Sequence, residues 1–101
     1  MKNNIEYIST RGSSPKLGFK DVIFEGLASD GGLYVPNKWP TIDQKLLSSF
    51  KSLSYQEIAF HIMKPYLDDS ISDKDLKNII QRSYSCFDDD QITPISRVNN
   101  N

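Results

Sequence analysis

The sequence predicts an α+β fold: a small, mostly helical domain with two or three short strands. Two β-rich stretches, Ile5 to Ser9 and Leu33 to Val35, bracket a segment with helical periodicity. Two downstream helices open with the same N-terminal grammar, one at Ser54 and one at Ser72. Two strands this short make a marginal sheet alone. The sheet therefore stays very small or is completed by another part of a larger protein.

Ile5, Tyr7 and Ser9 alternate onto one face of the first strand, with Glu6 and Ile8 on the other. Gly12, Ser13, Ser14, Pro15 and Gly18 make the next stretch a loop. Phe19, Val22, Ile23, Gly26 and Leu27 then fall on one stripe, which predicts a helix from Phe19 to Ala28. Gly26 within it costs about 1 kcal/mol against alanine, so a close neighbour should pack there. Ser29 to Gly32 stops the helix, with Gly31 or Gly32 taking the left-handed closing conformation. Pro36 keeps Val35 extended.

Asn37 to Pro40 reads as a turn. Thr41 and Gln44 have capping-box spacing, and Ile42, Leu46 and Phe50 line a short helix to about Phe50. Ser54 and Glu57 form a second box. Tyr55, Ile58, Ala59, Ile62, Met63 and Tyr66 carry the stripe that follows. Pro65 should end that helix near Lys64. Ile71, Ser72, Asp75 and Leu76 start the last helix, whose stripe is Leu76, Ile79, Ile80, Tyr84 and Phe87. The remaining residues are polar, with a short strand expected at Ile92.

A chain of 101 residues points to one domain. With 38% hydrophobic and 25% charged residues it is neither a disordered tail nor a membrane protein. Its apolar runs are a few residues long, against the roughly 20 that a membrane span needs. The first ten residues lack the apolar core of a signal peptide. A single cysteine, Cys86, excludes an internal disulfide and fits a reducing cytoplasmic compartment. A net charge of −1 argues against nucleic acid as a partner.

Lys20, between Phe19 and Asp21, invites a reading as a Schiff-base nucleophile. It lies about 100° round the helix from Phe19, at the edge of the apolar stripe. There a lysine stem lies along apolar neighbours while its ammonium reaches water. His61, the only histidine, falls outside its helix stripe and has no second ligand for a metal. Cys86 reads as a half-buried packing residue beside acidic neighbours. Asp88, Asp89 and Asp90 lack the alternate spacing of a calcium loop and read as a solvated turn. Ser9 to Ser14 could hold a phosphate through Arg11 and backbone amides, but lacks P-loop spacing. Its plainer reading is a self-capped loop. No nucleophile, base and oxyanion site assemble from these residues.

One resemblance covers nearly the whole chain. "YISTRG" (Tyr7 to Gly12) is followed by Gly18, Phe19, Asp21, Gly26, Leu27, Ala28, the run Asp30, Gly31, Gly32, Leu33, Tyr34, Val35, Pro36, and then Trp39 and Pro40. In order and spacing this resembles the N-terminal domain of bacterial and fungal threonine synthases. Residues 53–67 and the tail with Phe87 and Ile92 to Pro94 resemble that domain's helices and its exit into the catalytic core.

The resemblance implies a domain over residues 1–95 and, from 96 to 101, the start of a linker to a catalytic core. The full-length enzyme it implies is a pyridoxal-phosphate-dependent lyase of the tryptophan-synthase-β-like class. That enzyme converts O-phospho-L-homoserine and water to L-threonine and phosphate. The family's Schiff-base lysine also sits in a Phe-Lys-Asp context, but in the catalytic domain; the family pattern at Gly18 to Asp21 leaves the place of Lys20 variable. The resemblance thus places no catalytic, cofactor or metal residue in this segment, which alone should be inactive and bind no cofactor. Thr10, Arg11 and Gly12 remain candidates for ligand or domain-interface contact. Gly18, Phe19, Asp21, Gly26, Leu27, Asp30, Gly31, Gly32, Tyr34 and Pro36 are its structural signature. The implied partners are the catalytic domains of the same enzyme and phosphohomoserine, with no nucleic acid and no membrane. The alternatives are the N-domain of a related phospho-amino-acid lyase and a freestanding helical interaction module. A lone segment exposing a face meant for its partner should self-associate.

Overall fold

The computed structural model describes residues 5–67, 69–87 and 92–98. Strand β1 (Tyr7–Ser9) pairs antiparallel with β2 (Tyr34–Pro36), in the register Tyr7↔Pro36, Ile8↔Val35 and Ser9↔Tyr34. Between them lies helix α1 (Phe19–Glu25). The second half of the chain holds α2 (Gln44–Ser49), a single 3₁₀ turn (Phe50–Ser52), α3 (Tyr55–Leu67) and α4 (Asp73–Tyr84). This is the expected α+β domain with a two-stranded sheet. Leu17 adds an isolated bridge: its carbonyl accepts from Tyr7 N–H at 2.7 Å, and its N–H donates back at 3.1 Å.

The period-two pattern of β1 holds. Ile5, Tyr7 and Ser9 are buried, Glu6 is exposed and Ile8 is half-buried. α1 is shorter than its apolar stripe implies. It ends at Gly26, which has φ 74° and supplies the terminating turn itself, three residues before the expected stop. Gly26 N–H still reaches Val22 O at 3.0 Å. No atom packs against Gly26, so its role is backbone freedom rather than close approach. Only the front of the stripe turns inward: Phe19 packs on the α3–α4 cluster, while Ile23 and Leu27 face outward.

Three other boundaries differ from expectation. α2 is capped by Asp43, whose carboxylate accepts from Leu46 N–H at 2.7 Å, and not by Thr41. Asp is as good an N-cap as Ser or Thr, so the two spacings competed. α3 runs through Pro65 to Leu67. A proline in the last turn removes one helical hydrogen bond. Here tertiary contacts hold that turn: Leu67 is buried, and Tyr7 Oη donates to Tyr66 O at 2.8 Å. Ile92 is buried with φ 65°, which no strand residue adopts.

Both later caps form as the sequence indicates. Ser54 Oγ accepts from Glu57 N–H at 3.2 Å, and Glu57 reaches back to Ser54 N–H at 3.4 Å. Ser72 Oγ accepts from Asp75 N–H at 3.1 Å. α3 and α4 pack against each other around Ala59, Leu67, Leu76 and Ile80, with Phe19, Phe60, Ile71 and Tyr84 at the margins. Tyr84 sits edge-on to Tyr55 at 5.1 Å between ring centroids. Burial, then Tyr55, push the Tyr84 hydroxyl pKa upward. Lys64 bridges the end of α3 to Asp73 at 2.6 Å.

This core is small. Leu76 and Ile80 are each 3% exposed, and no large side chain among the described residues is completely enclosed. Leu76→Ala should therefore cost about 2–5 kcal/mol, a large fraction of the stability of a domain this size. Urea unfolding followed by circular dichroism would read this as a lower midpoint with an unchanged slope.

Candidate functional site

The "STRG" stretch leaves β1 at Ser9 and turns sharply. Gly12 N–H donates to Ser9 O at 3.0 Å with Gly12 at φ 80°. Facing it is a second turn, where Ala28 N–H donates to Gly32 O and Gly31 N–H donates to Ala28 O, each at 3.0 Å. Gly31, at φ 85°, takes the left-handed conformation there. It closes this turn rather than the helix.

Asp30 joins the two turns. The Ser9 hydroxyl is shared between both oxygens of its carboxylate, at 2.7 and 2.8 Å. Ser13 N–H donates to Oδ2 and Gly32 N–H to Oδ1, each at 2.9 Å. The backbone of Asp30 takes part too: its N–H donates to Ser14 Oγ, and its carbonyl accepts from Arg11 Nη1, both at 3.1 Å. The Ser9 hydroxyl bond, helped by the Gly32 and Ser13 amides against some desolvation, lowers the Asp30 pKa to about 2. Thr10 completes the knot. Its N–H donates to Leu33 O at 2.8 Å, and its hydroxyl accepts from Leu33 N–H at 3.0 Å.

Thr10, Arg11 and Gly12 are thus gathered with Asp30, Gly31 and Gly32, which the sequence placed in one motif without explaining why. A phosphate cradle would draw on the amides of this loop. Arg11 N–H, however, donates to Ser9 Oγ at 3.1 Å, and the Gly12 and Ser13 amides are also engaged internally. The exposed guanidinium of Arg11 is the group left facing outward. Gly18 and Phe19 begin α1, with Asp21 in its first turn. Phe19 meets Tyr7 at 6.3 Å between rings. Tyr34 Oη donates to Pro15 O at 3.0 Å, and Pro36 closes β2.

The anchoring role of Ser9 was missed in the sequence. The signal was present: a serine on the same strand face as Ile5 and Tyr7 is buried, and a buried hydroxyl requires a partner.

The other candidates lie apart from this knot. Lys20 is exposed on α1. His61 is exposed between the rings of Phe50 and Phe60, at 6.2 and 5.5 Å. Cys86 is exposed rather than half-buried, because α4 stops at Tyr84 and its stripe with it. Asp88, Asp89 and Asp90 lie outside the described residues. Among the described residues no three His, Cys, Asp or Glu side chains converge as a metal site requires. No helix among them is long and apolar enough to cross a membrane.

The described fold is thus a two-stranded sheet braced by a glycine-rich polar knot, with Tyr7 linking it to the packed α3–α4 pair. The family model for the threonine synthase N terminus matches residues 6–84, and the chain belongs to that family. It is 44% identical over 97 residues to threonine synthase of Pseudomonas aeruginosa, covering 96% of this chain and 21% of that protein. Against threonine synthase of Saccharomyces cerevisiae it is 48% identical over 92 residues, covering 88% and 18%. It is 33% identical to human threonine synthase-like 2, covering 93% and 20%. A crystal structure of PLP-bound threonine synthase from Brucella melitensis matches with a TM-score of 0.87 at 33% identity, covering 96% of this chain and 21% of that one. The chain therefore spans about a fifth of the length of these relatives.

Two predictions concern the knot. A β-carbon on Gly32 would collide with Ser9 Oγ and crowd Thr10 Oγ1 at 3.0 Å and Arg11 N at 3.1 Å. Part of that contact is backbone, so Gly32→Ala should cost about 1–3 kcal/mol in thermal or urea unfolding. Asp30 titrates below its unfolded value of about 4, so its charge stabilises the fold above that pH. The contribution disappears as pH falls through the folded value of about 2. The unfolding midpoint of Asp30→Asn should lie below that of the wild type at neutral pH. The gap should narrow between about pH 4 and pH 2 in a urea series.

Proposed function

We propose that residues 1–95 act as the N-terminal domain of a cytoplasmic, pyridoxal-phosphate-dependent threonine synthase, with residues 96–101 leading toward its catalytic part. The whole enzyme would convert O-phospho-L-homoserine and water to L-threonine and phosphate. The observation that carries this reading is the near-complete structural match to one fifth of the PLP-bound Brucella melitensis enzyme. The 44% and 48% identity to the Pseudomonas aeruginosa and Saccharomyces cerevisiae threonine synthases, against 33% to human threonine synthase-like 2, supports it over a related lyase.

We infer that the cofactor is held outside the described residues. Lys20 is exposed on α1, and the amides of the "STRG" loop are engaged internally. Cofactor and chemistry are accordingly assigned to the rest of the enzyme. The segment's contribution is mechanical. It packs on the catalytic part and limits its opening, so that water is excluded during turnover. Arg11 belongs to the loop that sets this packing.

With pyridoxal phosphate, the full-length protein should release phosphate from O-phospho-L-homoserine, and the 101-residue segment should not. Turnover by the segment, or an imine absorbance lost on Lys20→Ala, would overturn the assignment. In the full-length enzyme, Arg11→Ala should leave KM unchanged and lower stability by about 1 kcal/mol, the value of its bond to Asp30 O. A raised KM with an intact fold would instead make Arg11 a substrate ligand.

A further inference from the structure

The outward side of α1 and the turn after it are apolar without a structural reason internal to this chain. Phe24 is 83% exposed, Leu27 66%, and Ile23 and Leu33 58% each. Phe24 and Ile23 are adjacent on α1, and Leu27 follows its closing glycine. The bond from Ala28 N–H to Gly32 O pairs the two arms of the next turn and leaves Leu27 and Leu33 flanking it. Four large, strongly exposed apolar side chains thus fall within residues 23–33, the stretch that leads into the turn held by Asp30. Scattered exposed apolar residues are ordinary on a soluble domain; four large ones within residues 23–33 are not.

α1 itself is under-supported. It has seven residues, no side-chain cap at Gly18 and no buried residue. A helix this short is marginal without tertiary packing. Phe19 anchors its start to the α3–α4 cluster, and nothing described covers the end that carries Ile23 and Phe24. Lys20, Asp21 and Glu25 are exposed on the same helix. An apolar centre with charged neighbours is the usual anatomy of a protein interface.

We propose that Ile23, Phe24, Leu27 and Leu33 form the surface on which the catalytic remainder of the same polypeptide docks. The occupant is argued from length. The chain matches about a fifth of each relative, and its structural match occupies 21% of the Brucella melitensis chain. A partner about four times the size of this domain is therefore tethered to it in such proteins. The inference rests on reading the chain as one part of a longer threonine synthase.

Hydroxyl-radical footprinting with mass spectrometry tests it, comparing the 101-residue chain with the full-length protein at equal dose. Labelling of Phe24 and Leu27 should fall about fourfold in the full-length protein, as for side chains entering an interface core. Equal labelling in both would overturn the proposal. So would protection that appears only in the segment and grows with its concentration, which would make a second copy the occupant. Phosphate release from O-phospho-L-homoserine is measured on the same full-length sample. Its absence would remove the functional reading, while the labelling still decides whether this face is covered.

Discussion

The hydroxyl of Ser9, buried at the end of β1, grips both oxygens of the Asp30 carboxylate at 2.7 and 2.8 Å. Much of the amino-terminal half depends on that contact. The carboxylate also takes the Ser13 and Gly32 amides, so one side chain fixes the two turns relative to each other. Such a partly buried charge is tolerable because donors replace the water it gives up. Gly31 and Gly32 follow from the same constraint. Gly31 supplies a positive φ, and Gly32 is buried where a β-carbon would meet Ser9, Thr10 and the Arg11 backbone. The motif is thus one physical object: a serine, an aspartate and the glycines that let their backbones approach.

The carboxyl-terminal half is built differently. α3 and α4 are joined by apolar packing of Ala59, Leu67, Leu76 and Ile80, with the Lys64–Asp73 pair at their junction. That pair, half-buried at Lys64 but open at Asp73, contributes little beside the buried leucines. Tyr7 couples the halves. Its backbone pairs with both Leu17 and β2, its ring meets Phe19, and its hydroxyl donates to Tyr66 O. The last contact explains how α3 continues past Pro65, since the turn lacking a proline N–H gains a bond from β1.

Sequence reading succeeded where one local signal acted alone. The Ser54 and Ser72 caps, the β1 alternation and the Leu76 and Ile80 positions of the α4 stripe were legible for that reason, whereas Ile79 and Phe87 of that stripe are exposed. It failed where signals competed or the answer was tertiary. The Thr41–Gln44 spacing pointed to one cap, and the fold uses Asp43 instead. The apolar stripe on α1 reads as buried because periodicity records which residues share a face, not whether anything covers it. Pro65 and Cys86 were misjudged for related reasons: one is rescued by a distant tyrosine, the other lies beyond its helix end. At the knot, Thr10 to Gly12 and Asp30 to Gly32 were recognisable as a pattern. Their meeting across the strand pair was not, because no sequence spacing encodes it.

"GFKD" shows how a motif can mark a family without performing chemistry. Gly18 starts α1 without a side-chain cap, Phe19 turns into the core, and Asp21 lies in the first turn, where a negative charge favours the helix. Lys20 is exposed to solvent. Every member but the lysine has a structural task, and that task is to launch a short helix at a set angle from β1. The helix then carries Ile23 and Phe24 outward and ends at Gly26, after which Leu27 is exposed as well. A core with no fully enclosed large side chain among the described residues and an apolar helix face turned to solvent are complementary facts. Hydrophobic residues that a self-sufficient domain would bury inward are here committed to the outside, while the polar knot behind them holds the turn in place.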